Sequence, residues 1–441
     1  MTGHCALLRP LKFDVADIWA NPIRGAPCTN AQSWFEALWR LGVMHTYATP
    51  YHIAREQQPE LPTYCFRPER VTAAASWFVE KFPAQPFYAV KVNPAPHVLD
   101  ALWEGGIRSF DAASEKEIEL IRGRFPDARI AFLHPVKPRR AIERAYKQHG
   151  VRIFVTDSMA ELHKILDATD FAKDLTILVR IAVSNEGSAL PLSGKFGASA
   201  AEAAELLSVA RRYADELGVS FHVGSQAMKP SAWAQAMADA SRVIIDAGVT
   251  VDIVDVGGGF PAIYADKNPP AMDDYVAMVM RSFENMFVLE NADLWCEPGR
   301  ALVAEAESLL VGVDLAKDNA IYINEGSYGA LYDAVHENWV FPMRAISGDG
   351  RKLGRMVEYT VYGPTCDSAD MLPGKVWLPA GLTEGDYIEI GNIGAYGRSM
   401  ATRFNGFGES DVAIVQDSPW PSLYGSAEGA EVISIGSMAT N

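Results

Sequence analysis

The stretch Phe87-Tyr88-Ala89-Val90-Lys91-Val92-Asn93-Pro94 decides how the chain is read. An apolar, β-prone run ends in one lysine, and Asn93-Pro94 then stops the strand. Lysine at the mouth of a buried strand is a poor choice for stability. Desolvation lowers its pKa, and the neutral amine that results is the form that attacks a carbonyl to make a Schiff base. Alone, such a residue is more simply a surface lysine at a strand end. The case for chemistry comes from what recurs at later strand ends.

Working outward, short β-prone runs fall at 86–90, 107–111, 130–133, 151–155, 176–181, 219–223, 252–256 and 293–296. Amphipathic segments rich in Ala, Glu and Arg lie between them, at 114–124, 139–149, 200–217 and 232–247. Eight strands alternating with helices predict a (β/α)8 barrel of the TIM type. A doubly wound open sheet is weakened because no GxGxxG follows any of these strands. The residues at or just past the strand ends are Lys91, Asp111, His134, Asp157, His222 with Ser225, Gly257 to Gly259, and Glu297 with Arg300. In a barrel all these ends open onto one face, where active sites lie.

Beyond about residue 310 the rhythm changes. Runs at 301–313, 320–324, 357–362, 375–378 and 387–390 are separated by Gly, Pro and Asp without comparable helices. They predict a second, mostly antiparallel β domain. The expected organisation is an N-terminal extension over 1–63 that contributes to the β domain, a barrel over 64–306, and the β domain over 307–441. Within the extension, 33–41 has helical apolar spacing but carries no assignable chemistry.

The chain has 441 residues, 49% of them hydrophobic, and a formal net charge of −16. An acidic surface argues against nucleic acid and anionic membranes as partners. Five cysteines without a CxxC pair fit a reduced, cytoplasmic setting and no metal site. No segment approaches the roughly 18 apolar residues of a membrane span, and the first residues lack the apolar core of a signal peptide.

Several motifs could each be structural. Gly257-Gly258-Gly259-Phe260-Pro261 is an anion nest or a tight turn. His222 is a core histidine or a ring-facing group. Glu297-Pro298-Gly299-Arg300 is a salt bridge or a polar site, and Gly363-Pro364-Thr365-Cys366-Asp367 is a turn with a buried cysteine or a thiol beside a carboxylate. The loop 185–197 has the composition of a mobile lid or of a plain surface loop.

Taken together and in order, these motifs resemble the fold type III pyridoxal-phosphate decarboxylases, nearest the ornithine/lysine branch. Phe110-Asp111-Ala112-Ala113-Ser114 with Glu117, Tyr332-Asp333 and Gly394-Ala395-Tyr396 complete the set. The resemblance implies that Lys91 holds pyridoxal 5'-phosphate (PLP) and that Glu297 pairs with its pyridine nitrogen. It further implies that His222 stacks on the ring and that Ser225, Gly257, Gly258, Gly259, Arg300 and Tyr396 hold the phosphate. Asp111 and Glu117 support the lysine side. Cys366 is implied as the proton donor and Asp367, with Asp333 and Tyr332, as the receptor of the substrate's far end. Cys366 and Asp367 reach across a homodimer into the partner's site. The implied reaction is decarboxylation of L-ornithine to putrescine, for polyamine synthesis, or of L-lysine to cadaverine. The alternatives are a meso-diaminopimelate decarboxylase, an amino-acid racemase and a non-catalytic regulatory homologue. The diaminopimelate enzymes are expected to have an arginine near the Tyr332 segment and a Cys-Glu pair, which this chain lacks.

Overall fold

The computed structural model describes residues 44–184, 188–190, 194–288 and 291–424. The helical spacing at 33–41 and parts of the 185–197 loop lie outside the described residues.

Eight parallel strands close into a barrel: β1 Gln85–Ala89, β2 Ser109–Ala112, β3 Arg129–Phe132, β4 Ile153–Thr156, β5 Thr176–Arg180, β6 Glu216–Ser220, β7 Ile253–Asp255 and β8 Asp293–Cys296. Strand β8 pairs with β1 to complete the ring. Each strand falls on or beside one of the eight runs read from the sequence. Bulky side chains fill the interior, with Phe87, Leu178, Ile253 and Trp295 in one cluster. Gly218 makes room for them, because a Cβ there would stand 2.3 Å from Leu178 Cδ2. Helices line the outside, and three of them begin with Ser three residues before Glu. Ser114, Ser158 and Ser199 each accept a hydrogen bond from the backbone N–H of that Glu. This satisfies donors that helix starts leave open.

The helix expected over 200–217 ends at Ala210, and its last residues become strand β6. A three-residue turn and the loop before β6 separate the two, and His222 consequently lies just beyond its strand rather than within it. The run at 301–313 also divides. Arg300–Val303 is a helical turn, and the strand begins at Glu307.

The second sheet is mixed but mostly antiparallel, with Glu307–Lys317 at its centre. That strand pairs with Thr63–Phe66, Tyr387–Ile390 and Ala320–Ile323 in antiparallel fashion. Thr63–Phe66 and Thr46–Tyr47 belong to this sheet, joined through parallel pairing with Asp411–Val415. The barrel's first strand begins at Gln85, and the 63–66 strand, a member of the sheet, straddles the expected boundary at 64. Among the described residues, the sheet strands Thr46–Tyr47, Thr63–Phe66, Met343–Ile346 and Asp411–Val415 escaped the sequence reading.

Barrel and sheet are joined by buried charge. Glu307 accepts hydrogen bonds from Asn93 Nδ2 at 2.9 Å and pairs with His97 Nε2 at 3.0 Å and Arg398 Nη2 at 3.3 Å. Burial alone would raise the Glu307 pKa, but Arg398, His97 and Asn93 outweigh it and bring it down to about 2. Within the sheet, Arg67 donates to Glu389, Asp417 and Ser308, and Arg344 pairs with the same two carboxylates. Among the described residues, no helix is long and apolar enough to cross a membrane.

A carboxylate whose pKa is depressed on folding stabilises above its unfolded value and loses that contribution as pH falls. Glu307→Gln should therefore cost roughly 3 kcal/mol near neutral pH, because the carboxyl is held down to about 2. The gap to the parent protein should narrow between pH 4.5 and about 2. Urea unfolding at pH 7 and pH 3 measures both quantities.

Candidate active site at the barrel mouth

Strand β1 ends at Ala89, and the chain turns through a single 3₁₀ turn, Val90–Val92, that carries Lys91. The turn is held from three sides. Tyr88 Oη donates to Asn93 O at 3.0 Å, Asn93 Nδ2 donates to Gly394 O at 2.8 Å, and Tyr396 N donates to Val92 O at 2.9 Å. Tyr396 has φ +65°, a left-handed conformation unusual for tyrosine, and this kind of strain gathers at functional sites.

Lys91 Nζ stands 3.8 Å from Asp111 Oδ2 at the end of β2. Nearly half of the lysine side chain stays open to the barrel mouth, at 47% exposure, while Asp111 is buried. Burial pulls the Lys91 pKa down, yet Asp111, Tyr396 and Glu297 together raise it above the ordinary value. The expectation that burial lowers the pKa of this amine is thus corrected: Asp111, Tyr396 and Glu297 outweigh the desolvation. The burial of Asp111 drives its pKa up to about 7, with Lys91 holding it down and Glu297 pushing it further up. Beside it, Glu117 accepts from Ala113 N at 2.6 Å, and its pKa is raised by burial.

Opposite lies a second group of acids. Glu297, just past β8, and Asp255, at the end of β7, are both buried. Burial first, then the neighbouring Asp255 charge, lifts Glu297 well above the carboxylate range, and Asp255 rises to about 6. Asp255 Oδ1 accepts from Gly257 N at 2.9 Å and the Asp255 carboxyl is hydrogen-bonded to that of Glu297, while Asp111 Oδ1 is buried with no hydrogen bond among the described residues. Arg180, at the end of β5, lowers the pKa of Asp111, Asp255 and Glu297 and also depresses that of His222. His222 Nδ1 accepts from Gly224 N at 3.0 Å, and burial pushes its pKa far down, so the ring is neutral.

The glycines are dictated by backbone approach. Gly257 has φ +66° and a Cβ there would lie 2.0 Å from Phe221 O; Gly259 has φ +104° and would meet Gly224 O at 2.5 Å. Gly258 would meet Glu297 O at 2.7 Å and His222 Nε2 at 3.0 Å. The nest is therefore pressed between the His222 loop and the Glu297 turn. Ser225 begins a short strand, Ser225–Ala227, that pairs antiparallel with Ser188–Leu190.

Arg300 forms a separate cluster. Its Nη1 donates to Tyr264 Oη at 2.9 Å and its Nη2 to Asp333 Oδ2 at 3.2 Å, while Nε is buried with no partner among the described residues. Asp333, expected with Asp367 to receive the substrate's far end, is thus already engaged by Arg300. Tyr332 stacks on His336 at 4.3 Å. Cys366 and Asp367 lie apart from the Lys91 group. Cys366 Sγ is 3.3 Å from Asn405 Oδ1 and exposed. Asp367 accepts from Ala369 N and Tyr328 Oη, which hold its carboxyl below the usual range.

The pyridoxal-binding-domain model of the pyridoxal-dependent decarboxylases matches residues 69–304, the barrel and its flanking turns. The chain belongs to the pyridoxal-dependent decarboxylases. It is 34% identical over 364 residues to a decarboxylase, flvG, of Aspergillus flavus, covering 77% of this chain and 82% of that one. It is 32% identical over 343 residues to a lysine/ornithine decarboxylase of Selenomonas ruminantium, covering 76% and 84%. Among solved structures, the arginine decarboxylase of Paramecium bursaria Chlorella virus bound to agmatine superposes with a TM-score of 0.72. That match has 28% identity and covers 81% of this chain and 98% of the other. The protein is a PLP-dependent amino-acid decarboxylase.

The residues present suit that cofactor. The orphaned oxygen of Asp111 calls for a cation or a donor, the buried Glu297–Asp255 carboxyl pair suits a protonated pyridine nitrogen, and the orphaned Arg300 Nε calls for an acceptor. Sequence reading missed Arg180, Asp255 and Lys137. The first two interrupt apolar strands in the same way as Lys91, and that was the available signal. Lys137 is fully buried and donates to His134 O at 2.9 Å, Val155 O at 2.6 Å and Glu161 Oε1 at 3.0 Å. Desolvation brings its pKa down to about 8, but its hydrogens are committed.

Because Asp111 titrates higher when folded than when unfolded, the stability it contributes is complete below about 4 and lost as pH rises through about 7. Lys91→Met should move the Asp111 midpoint further up. Carboxyl-detected NMR titration of the PLP-free protein checks this, and an unchanged or lower midpoint would show that Lys91 does not govern Asp111.

Proposed function

We propose that the enzyme decarboxylates a basic amino acid with a terminal ammonium, L-ornithine first and L-lysine second, and that two copies of the chain share each site. The observation that carries this reading is Asp367, a carboxylate held ionised on a partly exposed turn beside Cys366, with no contact to the Lys91 group. A half-exposed anion next to a thiol has little use on an isolated surface. Placed over the barrel mouth of a second copy, it meets the far ammonium of a diamino acid.

When bound, PLP supplies an electron sink for the carbanion left as CO2 departs. In this reading Lys91 anchors it, and Asp111 with Glu117 takes up and returns the lysine's proton. Glu297, assisted by Asp255, keeps the ring nitrogen protonated. His222, uncharged, packs on the ring face. Gly257 to Gly259, Ser225, Arg300 and Tyr396 hold the phosphate. Cys366 of the partner copy delivers a proton to the carbon that lost CO2. Asp367 carries most of the recognition of the far ammonium, because the charge of Asp333 is already matched by Arg300. Ornithine and lysine differ by one methylene, worth about 1–3 kcal/mol of discrimination. The similarity to both ornithine- and lysine-acting enzymes supports the class and leaves the choice to experiment.

Purified, PLP-loaded protein offered L-ornithine, L-lysine, L-arginine and meso-diaminopimelate in parallel should release CO2 from ornithine or lysine and yield the matching diamine. Release from diaminopimelate alone would refute the reading of the far end. Lys91→Ala and Cys366→Ala should each be nearly inactive. After subunit exchange, an equal mixture should recover about a quarter of parental activity, since half the dimers are mixed and each has one intact site of two. No recovery despite proven exchange would refute the shared site.

A further inference from the structure

Arg300 is enclosed rather than free. The centre of its guanidinium lies 4.0 Å from the ring of Trp339, 4.8 Å from that of Tyr396 and 5.8 Å from that of Tyr264. Tyr264 and Trp339 are almost wholly buried and meet edge to face at 4.6 Å. The segments bearing them are tied together through the backbone. Ala265 N donates to Val340 O at 3.1 Å, and Trp339 N donates to Asp333 O at 3.3 Å. Asn392 Nδ2 donates to Ile263 O at 2.7 Å. The Tyr264 segment is the direct continuation of the glycine nest, Gly257 to Gly259. One terminal nitrogen is bonded to Tyr264 and the other to Asp333, and only Nε remains buried and unmatched among the described residues.

We propose that Tyr264 and Trp339 are positioning residues that lock Arg300 with its Nε edge turned to the cofactor's phosphate. This rests on the reading of Arg300 as a phosphate ligand. An arginine on a flexible arm must be ordered at the moment of binding, and that ordering weakens the grip. A guanidinium already clamped between rings and held by a hydroxyl meets an oxyanion with little further loss. The buried, unpaired N–H gains its missing partner only when an acceptor arrives, so the arrangement favours the loaded state. Asp333 completes the clamp from the sheet side, and the phosphate grip and the substrate end become parts of one rigid unit.

The test compares equilibrium binding of PLP with that of pyridoxal, which lacks the phosphate, in the parent protein and in Tyr264→Phe, Trp339→Leu, Trp339→Phe and Arg300→Met. Tyr264→Phe and Trp339→Leu should each weaken PLP roughly tenfold, the scale of one hydrogen bond to a charged group. Pyridoxal binding should stay within about twofold, as expected when only phosphate contacts change. Trp339→Phe, which keeps a ring over the guanidinium, should recover much of the loss. Equal weakening of PLP and pyridoxal would mean a merely structural role and overturn the inference, as would unchanged PLP binding. If Arg300→Met also fails to separate the two ligands, the phosphate role of Arg300 falls, and this inference with it. If Arg300→Met separates them and the aromatic variants do not, only the inference falls. Tyr264→Phe removes a single hydroxyl and serves as the deciding variant if Trp339→Leu does not fold.

Discussion

The site depends on one buried carboxylate, Glu307, at the first residue of the sheet's central strand. By holding Asn93, His97 and Arg398 it fixes the short turn that carries Lys91 against the second domain. A lysine on a strand-end loop would otherwise sweep several ångströms of space. Here Asn93 is tied to both Glu307 and Gly394, and Tyr396 reaches back to Val92, so the amine emerges at a set place. Breaking a buried ionic network by removing one member costs far more than the network adds in stability. The charge at the domain junction therefore serves geometry more than strength.

That geometry concentrates acid. Asp111, Glu117, Asp255 and Glu297 surround the mouth, with Lys91 and Arg180 as the cations that influence them. Burial is the main reason Asp111, Asp255 and Glu297 resist ionisation, with neighbouring carboxyls adding to it at Asp111 and Glu297. A pyridinium placed among them offsets this, so the same electrostatics that destabilise the acids select for a cationic ring. Perturbed carboxyls gathered in a cleft mark a functional site on physical grounds. The identity of the family agrees with that expectation.

Much of the barrel could be read from the sequence because its strands are buried on both faces and appear as continuous apolar runs. Lys91, Asp111 and Glu297 were visible as polar residues ending such runs. Arg180 and Asp255 carry the same signal but sit inside the run, where a charge is easily taken as the strand's last exposed residue. The sheet was less legible. Met343–Ile346 alternates weakly and Asp411–Val415 pairs with strands more than 300 positions away, so nothing local announces either. The engagement of Asp333 by Arg300 and the raised pKa of Lys91 depend on contacts between distant segments and on the sum of several charges. Spacing along the chain encodes neither.

The central claim is that Lys91, and not another lysine of the barrel, carries the cofactor. Lys137 is the informative rival, being the more deeply buried, with its pKa lowered to about 8, yet fully hydrogen-bonded. Borohydride reduction of the PLP-loaded protein, followed by proteolysis and mass mapping of the pyridoxyl-bearing peptide, decides between them. The account predicts the label on the peptide containing Lys91, in a yield matching the cofactor bound. A label on Lys137 or on any other lysine, with Lys91 unmodified, would contradict it.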